Sequence, residues 1–310
     1  MDIIKNKPWI YTFQDLLKET LNTLPDEFTL AFSGGIDSSM LLFQLLEMNK
    51  QPTELITFQI DDWESNDLIF TKKIASELNI PLTVVNIPII SKDSGTLIVK
   101  DIIDIIGNSR KIDIQCCYAF DYMLKEMKTK HLLTGLYEDV IYEVNEYLKT
   151  QYTYSKQGKI TEDELNEEYF KHKRLCYEDK NFSGTEHNHA SIRKLVEHYG
   201  YTLHTPLRYK KIYELFQTVG YVETNYIQEG DKTLLRKKWF VTDVLYKDWF
   251  ERFGNGKNNS NMHKNKDGLD LHTLHHLIFT PKRYKVSERE VIKVYNQIAK
   301  YNNNKQHNFF

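Results

Sequence analysis

A chain of 310 residues, 41% hydrophobic and 13% aromatic, carries enough apolar material for two ordinary domains with a real core. Its 41 Lys and Arg stand against 43 Asp and Glu, a net charge of −2, which excludes the global basic field that draws a protein to nucleic acid or an anionic membrane. Mean hydropathy is −0.54 and no apolar run approaches the roughly 18 residues of a spanning helix, so no membrane segment is expected.

The N-terminal stretch MDIIKNKPWIYTFQDL lacks the basic start, apolar stretch and small-residue cleavage site of a secretory signal, so a cytoplasmic setting is expected. Between residues 27 and 135 short apolar runs alternate with helix-period stretches, the pattern of repeated βα units. EFTLAF (27–32), ELITFQI (54–60), LTVVNI (82–87) and HLLTG (131–135) read as buried strands, the last closed by Gly135. Helices are expected from Ser38 to Met48, where Met40, Leu41, Phe43, Leu45 and Leu46 wrap the axis, from Leu68 to Leu78, and from Asp113 to Met127. Right-handed crossovers place such helices on both faces, so the fold class is α/β with a doubly wound, mostly parallel sheet.

After residue 140 the strand signal fades, and helices are expected at 161–180, 185–199, 209–219, 231–250, 268–278 and 286–300. The chain thus divides into an α/β domain over 1–150 and a mainly helical cover region over 151–310. ERFGNGKNNSNMHKNKDG (251–268) is nearly devoid of apolar side chains and is expected to be a mobile loop that closes over substrate. Cys116, Cys117 and Cys176, an odd number without zinc spacing, exclude a disulfide framework, and Cys116-Cys117 reads as a pair of buried small hydrophobes. His187 with His189, and His272 with His275 and His276, lack cysteine or acidic partners, so no metal site is assigned to them.

Phe32-Ser33-Gly34-Gly35-Ile36-Asp37-Ser38-Ser39 lies between the first strand and the first crossover helix. Two glycines permit a tight turn with inward N–H groups, and Ser33, Ser38 and Ser39 add hydroxyls at a helix N-terminus, where the dipole favours an anion. No basic residue sits in the turn and G-x-x-x-x-G-K-[ST] is absent, which separates it from loops that grip a transferring γ-phosphate. The acid inside it, Asp37, points instead to Mg²⁺ bridging to the phosphates, because a hard cation takes oxygen ligands.

SGGIDSS resembles the pyrophosphate loop of the ATP-pyrophosphatase group, enzymes of the HUP/PP-loop fold type. The resemblance implies that Ser33, Gly34, Gly35, Asp37, Ser38 and Ser39 hold the β- and γ-phosphates of ATP while a substrate oxygen attacks the α-phosphate. Among its branches the chain is most similar to the asparagine synthetases. The run Phe58 to Asp67 resembles their strand ending at the adenine, which makes the backbone near Ile60 the candidate adenine contact. Counting from Gly135 through Leu136, Tyr137 and Glu138 puts Asp139 at the metal-binding aspartate of their G-E-G-x-D-E motif. Asp37 and Asp139 are then the Mg²⁺ ligands, with Gly135 against the nucleotide. Tyr201 to Arg208 is similar to their R-x-P-F-x-D segment and Asp231 to Lys237 to their K-x-x-L-R segment, so the resemblance runs from residue 27 to residue 240.

The chain departs from that pattern in three places. Leu136 stands where asparagine synthetases carry a glutamate and beta-lactam synthetase a tyrosine, which moves the candidate base to Tyr137 or Glu138. No R-x-K follows Arg236 at the family's distance, leaving Lys247 and Lys257 as candidates for the catalytic lysine. Residue 2 is Asp and the turn begins at residue 33, so no glutaminase domain is expected, and nitrogen comes from ammonia, another amine or a protein partner. The expected activity is an ATP- and Mg²⁺-dependent ligase that adenylates a small carboxylate and joins it to an amine, with Asp37, Asp139, Tyr137, Glu138 and Lys257 as catalytic candidates. Nucleic acid is not expected as a partner. Two alternatives stand beside it: a PP-loop enzyme modifying a nucleobase or tRNA, and a catalytically silent nucleotide-binding module.

Overall fold

The computed structural model describes residues 7–60, 66–87, 92–108, 111–137, 146–178, 184–229, 232–236 and 238–253. Helix α1 (Trp9–Asn22) leads into strand β1 (Thr29–Ala31), helix α2 (Ile36–Glu47), β2 (Glu54–Ile60), α3 (Asn66–Glu77) and β3 (Leu82–Ile87). Two consecutive helices, α4 (Lys92–Ile106) and α5 (Lys111–Glu126), precede β4 (His131–Leu133). Helices α6 (Glu146–Lys156), α7 (Glu162–Glu178) and α8 (Gly184–His198) then separate β4 from β5 (Thr202–His204).

The strands form one sheet in the order β3-β2-β1-β4-β5. Every neighbouring pair is parallel, with Leu30 opposite Leu55 on one side and Leu133 on the other. Leu30, Leu55, Leu132 and Leu133 are buried, as strands covered on both faces require. On one face pack α1, α2 and α3, through Phe13, Leu17, Met40, Phe43 and Ile74. On the other pack α4, α5 and α8, through Ile102, Ile106, Tyr118, Leu124 and Leu195. The fold is therefore the expected α/β doubly wound parallel sheet. The chain direction of the connections reverses between β1 and β4, and at such a switch point the carboxyl ends of the strands leave a crevice.

Three expectations need correction. Strand β5 arises beyond residue 140, where no strand is read from the sequence, and it completes the sheet by pairing with β4. Three residues are too short to show alternation, and partnership with β4 supplies what local propensity does not. Where a helix is expected over 231–250, the chain makes an antiparallel hairpin of β6 (Tyr226–Glu229) and β7 (Lys232–Leu235), then a π-helical turn (Val241–Leu245) and helix α11 (Lys247–Phe253). Two short helices, α9 (Lys210–Phe216) and α10 (Tyr221–Asn225), precede the hairpin. The expected mobile loop begins too early, because residues 251–253 end α11 and Phe253 is buried in the core. Its remainder, and the helices expected at 268–278 and 286–300, lie outside the described residues.

Candidate active site

The glycine turn sits at the carboxyl end of β1, on the switch-point crevice. Phe32 continues the strand by donating its N–H to the Ile56 carbonyl at 2.8 Å, and α2 starts four residues later at Ile36. Gly34 adopts φ +74°, and a Cβ there would meet the Phe70 ring of α3 at 2.9 Å, so conformation and space both demand glycine. The serines brace the turn: Ser38 Oγ donates to the Gly35 carbonyl at 3.1 Å, and Ser39, fully buried, donates to the Gly34 carbonyl at 3.4 Å. Ser33 is exposed and its Oγ accepts the Gly35 N–H at 3.3 Å.

Gly135, after β4, closes the other side of the crevice. A Cβ at Gly135 would lie 3.1 Å from the Asp37 Cβ and from the Ser38 nitrogen, so the ends of β1 and β4 converge on Asp37. The backbone of Ile60 ends β2, opposite Ile87, on the same edge of the sheet. Asp139, Glu138 and Lys257 lie outside the described residues.

Around this turn the hydrogen-bond accounting fails to close. Asp37 Oδ1, Thr71 Oγ1 and Thr134 Oγ1 are all buried without a hydrogen-bond partner. Thr71 faces Gly34, and Thr134 precedes Gly135. Buried polar groups are nearly always paired, so orphans gathered at one place mark where a polar ligand belongs. An unpartnered buried carboxylate oxygen also fits a hard divalent cation, which Asp37 would hold and which would supply charge neutralisation to the phosphates.

The residue that sequence reasoning missed is Lys238. Its Nζ donates to Asp37 Oδ2 at 2.5 Å across a separation of 201 residues, and the lysine is only 8% exposed. An aromatic clamp brings it there. Phe43 of α2 stacks on Trp249 and Phe253 with centroids 5.2 and 5.9 Å apart, and Tyr246 donates to Gln44 Oε1 at 2.8 Å. The segment after β7 is thus fixed along the helix whose N-terminus forms the cradle. A signal was present in the sequence: Arg236-Lys237-Lys238 is itself an R-x-K, beginning on the last residue of the K-x-x-L-R segment and lying before the apolar run Trp239-Phe240-Val241. Lys247, the earlier candidate, pairs instead with Glu251 one helical turn away at 3.7 Å.

Tyr137 is corrected as a base open to substrate. It is 2% exposed, with its ring edge-on to His189 and Tyr177 at 5.1 and 6.1 Å and the Arg208 guanidinium 5.4 Å over its face. His189 shares a hydrogen bond with Thr205 Oγ1 at 3.1 Å, and burial, with Arg193 and Arg208 nearby, pulls its imidazole down to about 3. Cys116 and Cys117 are buried as expected. Burial and the neighbouring Asp113 push the Cys116 thiol up to about 12, and Cys117 is raised by the same burial with Cys116 beside it, so neither offers a thiolate near neutral pH. Among the described residues no group of three or more His, Cys, Asp or Glu is gathered for a metal, and no helix is long and apolar enough to cross a membrane.

Residues 28–118 match the family model described as queuosine biosynthesis protein QueC, a stretch that runs from β1 through the cradle into α5. No curated protein sequence matches the chain. Among solved structures, a predicted subunit of tRNA methyltransferase from Methanocaldococcus jannaschii is 16% identical, with 72% of this chain and 89% of that one covered at a TM-score of 0.31. The U34-tRNA thiolase NcsA from Methanococcus maripaludis, with its [4Fe-4S] cluster, is 15% identical over 87% of this chain and 78% of that one, TM-score 0.30. NMN synthetase from Francisella tularensis is 13% identical over 85% and 97%, TM-score 0.23. The family match runs across the SGGIDSS turn at the switch point of the sheet, so over residues 28–118 the chain is similar to the PP-loop ATP pyrophosphatase superfamily.

Proposed function

We propose that the protein uses ATP to activate an oxygen of a nucleobase-type substrate, releasing pyrophosphate. The match over residues 28–118 to a family named for queuosine biosynthesis carries this reading, because it falls on the cradle itself. It moves the weight from the amide ligase expected from the sequence to the nucleobase alternative. The near-balanced charge, −2 overall, supports a small nucleobase over intact RNA, whose phosphates demand a basic footprint. Buried thiols at Cys116 and Cys117 argue against these two as carriers of sulfur, so the second nucleophile is read as an amine.

In the proposed reaction the substrate oxygen attacks the α-phosphorus in line, the bond to the bridging oxygen breaks, and pyrophosphate leaves. An amine then adds to the activated carbon and AMP departs with the oxygen. The chain contributes positioning and charge: turn amides and the Lys238 ammonium face the charge that grows on the leaving pyrophosphate. Asp37 Oδ1 is the chain's group for the Mg²⁺ that accompanies the nucleotide.

A second reading, the ligase for small carboxylates, draws support from Lys238. A lysine that reaches the turn supplies a cation like the one the resemblance to asparagine synthetases implies, although Lys238 does not stand at the family's distance from the K-x-x-L-R-like segment. Nucleotide chromatography after incubation with ATP and Mg²⁺ separates the readings, with free nucleobases, tRNA, and small carboxylates plus ammonia in separate arms. AMP and pyrophosphate in the nucleobase arm are expected. Turnover confined to carboxylates selects the ligase, confined to tRNA an RNA-modifying enzyme, and none anywhere the silent module; ADP as main product removes the pyrophosphatase assignment altogether.

A further inference from the structure

Strand β5 holds one edge of the sheet with only three residues, and a pair of imidazoles that the proposed reaction does not use joins it to β4. His131 opens β4 and His204 closes β5. Leu133 lies opposite His204 in the register and two residues from His131, so both histidines stand on the face of the sheet that carries Leu133. His131 Nδ1 and His204 Nε2 are 3.1 Å apart, the ring centroids are 5.3 Å apart, and both residues are partly exposed. Such a hydrogen bond needs one nitrogen to donate and the other to accept, so at least one ring of the pair is neutral.

The same spacing is the bite of two ligands on one metal ion. With metal–nitrogen bonds of about 2.0–2.1 Å, nitrogens 3.1 Å apart subtend about 100° at the ion, between the octahedral and tetrahedral angles. Burial first, then His131 and Lys50, hold His204 below the ordinary imidazole range, which keeps its ring neutral and able to bind a metal near pH 7. The Lys50 ammonium is itself taken up by the carbonyls of Leu21 and Leu24, at 3.4 and 2.6 Å. Backbone pairing fixes the bite: Thr134 donates its N–H to the His204 carbonyl at 3.0 Å, and Thr202 its N–H to the Lys130 carbonyl at 2.8 Å. Among the described residues no third His, Cys, Asp or Glu joins the pair, which leaves the remaining coordination positions to water.

We propose that His131 and His204 bind a divalent transition-metal cation of the zinc type and that this ion clamps β5 onto β4. Imidazole suits such an ion, whereas Mg²⁺ takes oxygen ligands, so the site differs in chemistry from the cradle at Asp37. The clamp acts on segments that lead to the crevice. The Thr134 amide that it secures directly precedes Gly135, and β5 runs on through Thr205, the partner of His189, to Arg208 over the Tyr137 ring.

Zn²⁺ is the probe, read by equilibrium dialysis and by hydrogen exchange at the Thr134 and Thr202 amides, on the full chain and on His131→Gln and His204→Gln. In the unaltered protein, Zn²⁺ at about ten times its dissociation constant should slow exchange at both amides about tenfold, because an ion that binds only the paired strands draws the opening equilibrium toward them. Mg²⁺ at the same concentration should leave both rates unchanged. Each variant should weaken this one Zn²⁺ site about 100-fold, through loss of the second ligand, and should lose the slowing. Readout at these two amides separates the pair from the chain's other histidines, and the contrast of Zn²⁺ with Mg²⁺ in the unaltered protein decides even if a variant fails to fold. No slowing by Zn²⁺, equal slowing by Mg²⁺, or slowing retained in either folded variant overturns the proposal and leaves an ordinary imidazole hydrogen bond, with the pyrophosphate cradle untouched.

Discussion

Two carboxylates at opposite ends of the same sheet have opposite polar accounts. Glu54 opens β2 at the amino end, fully buried, and accepts from Thr29 Oγ1 at 3.0 Å, Thr83 Oγ1 at 2.7 Å and the Lys128 N–H at 2.7 Å, with the Lys128 ammonium at 3.6 Å. It ties β1, β2, β3 and the approach to β4 together, and both its oxygens are used. Asp37, at the carboxyl end, holds one lysine and leaves one oxygen unmet, among other buried groups in the same condition. A saturated network stabilises a structure; an unsaturated one at a switch point waits for a ligand.

Substitutions at the two ends break the comparison if it is wrong. Glu54→Ala is expected to have the largest effect, a loss of about 3 kcal/mol in urea unfolding, because it strands buried donors from several strands. Pyrophosphate binding by the fraction that remains folded should be unchanged. Asp37→Asn should weigh on function instead, with pyrophosphate release reduced about 100-fold or more and a smaller loss in urea unfolding than Glu54→Ala, since Asn still accepts from Lys238 but leaves its buried ammonium without a counter-charge. Equal damage to stability and release in both variants would dissolve the distinction.

His189 sharpens it through pH. Its folded value near 3 lies below the unfolded value of 6.5, so the unfolded chain binds more protons in between, and the stability it contributes is complete above pH 6.5 and drains away as pH falls toward 3. From pH 7 to pH 5 the loss should be about 2 kcal/mol, and His189→Gln should remove that part of the slope in unfolding measured at the two pH values. The smallest effect is expected at Gly135→Ala, where the new Cβ 3.1 Å from Asp37 and Ser38 should displace the turn and weaken pyrophosphate binding about tenfold with stability changed by about 1 kcal/mol. An unchanged affinity there would show that the end of β4 does not shape the cradle.

Much of the sheet was legible locally. Buried parallel strands are short unbroken apolar runs, and ELITFQI and LTVVNI match β2 and β3 residue for residue. Helix α1 was legible too and was overlooked: Ile10, Phe13, Leu17 and Leu21 recur at helical spacing and are all buried. Strand β5 was not, because Thr202-Leu203-His204 has no periodicity of its own and becomes a strand only through the backbone edge that β4 presents. The β6–β7 hairpin was hidden differently: Lys232 to Leu235 reads as the start of a helix, and Leu234 and Leu235 remain partly exposed on the strand.

The sequence by itself determined the cradle, since a turn with φ +74° at Gly34, serine braces and an acid in the first turn of α2 are all contained within eight consecutive residues. It likewise determined the buried strands that aim that turn at a crevice. Only the tertiary structure decided which cation meets the acid. Lys238 reaches Asp37 because Trp249 and Phe253 stack on Phe43, and aromatic packing, being non-directional along the sequence, leaves no spacing rule that links residues so far apart. Tertiary packing also decided the surroundings of Tyr137, because a ring placed between His189, Tyr177 and Arg208 is held by burial that no local motif records.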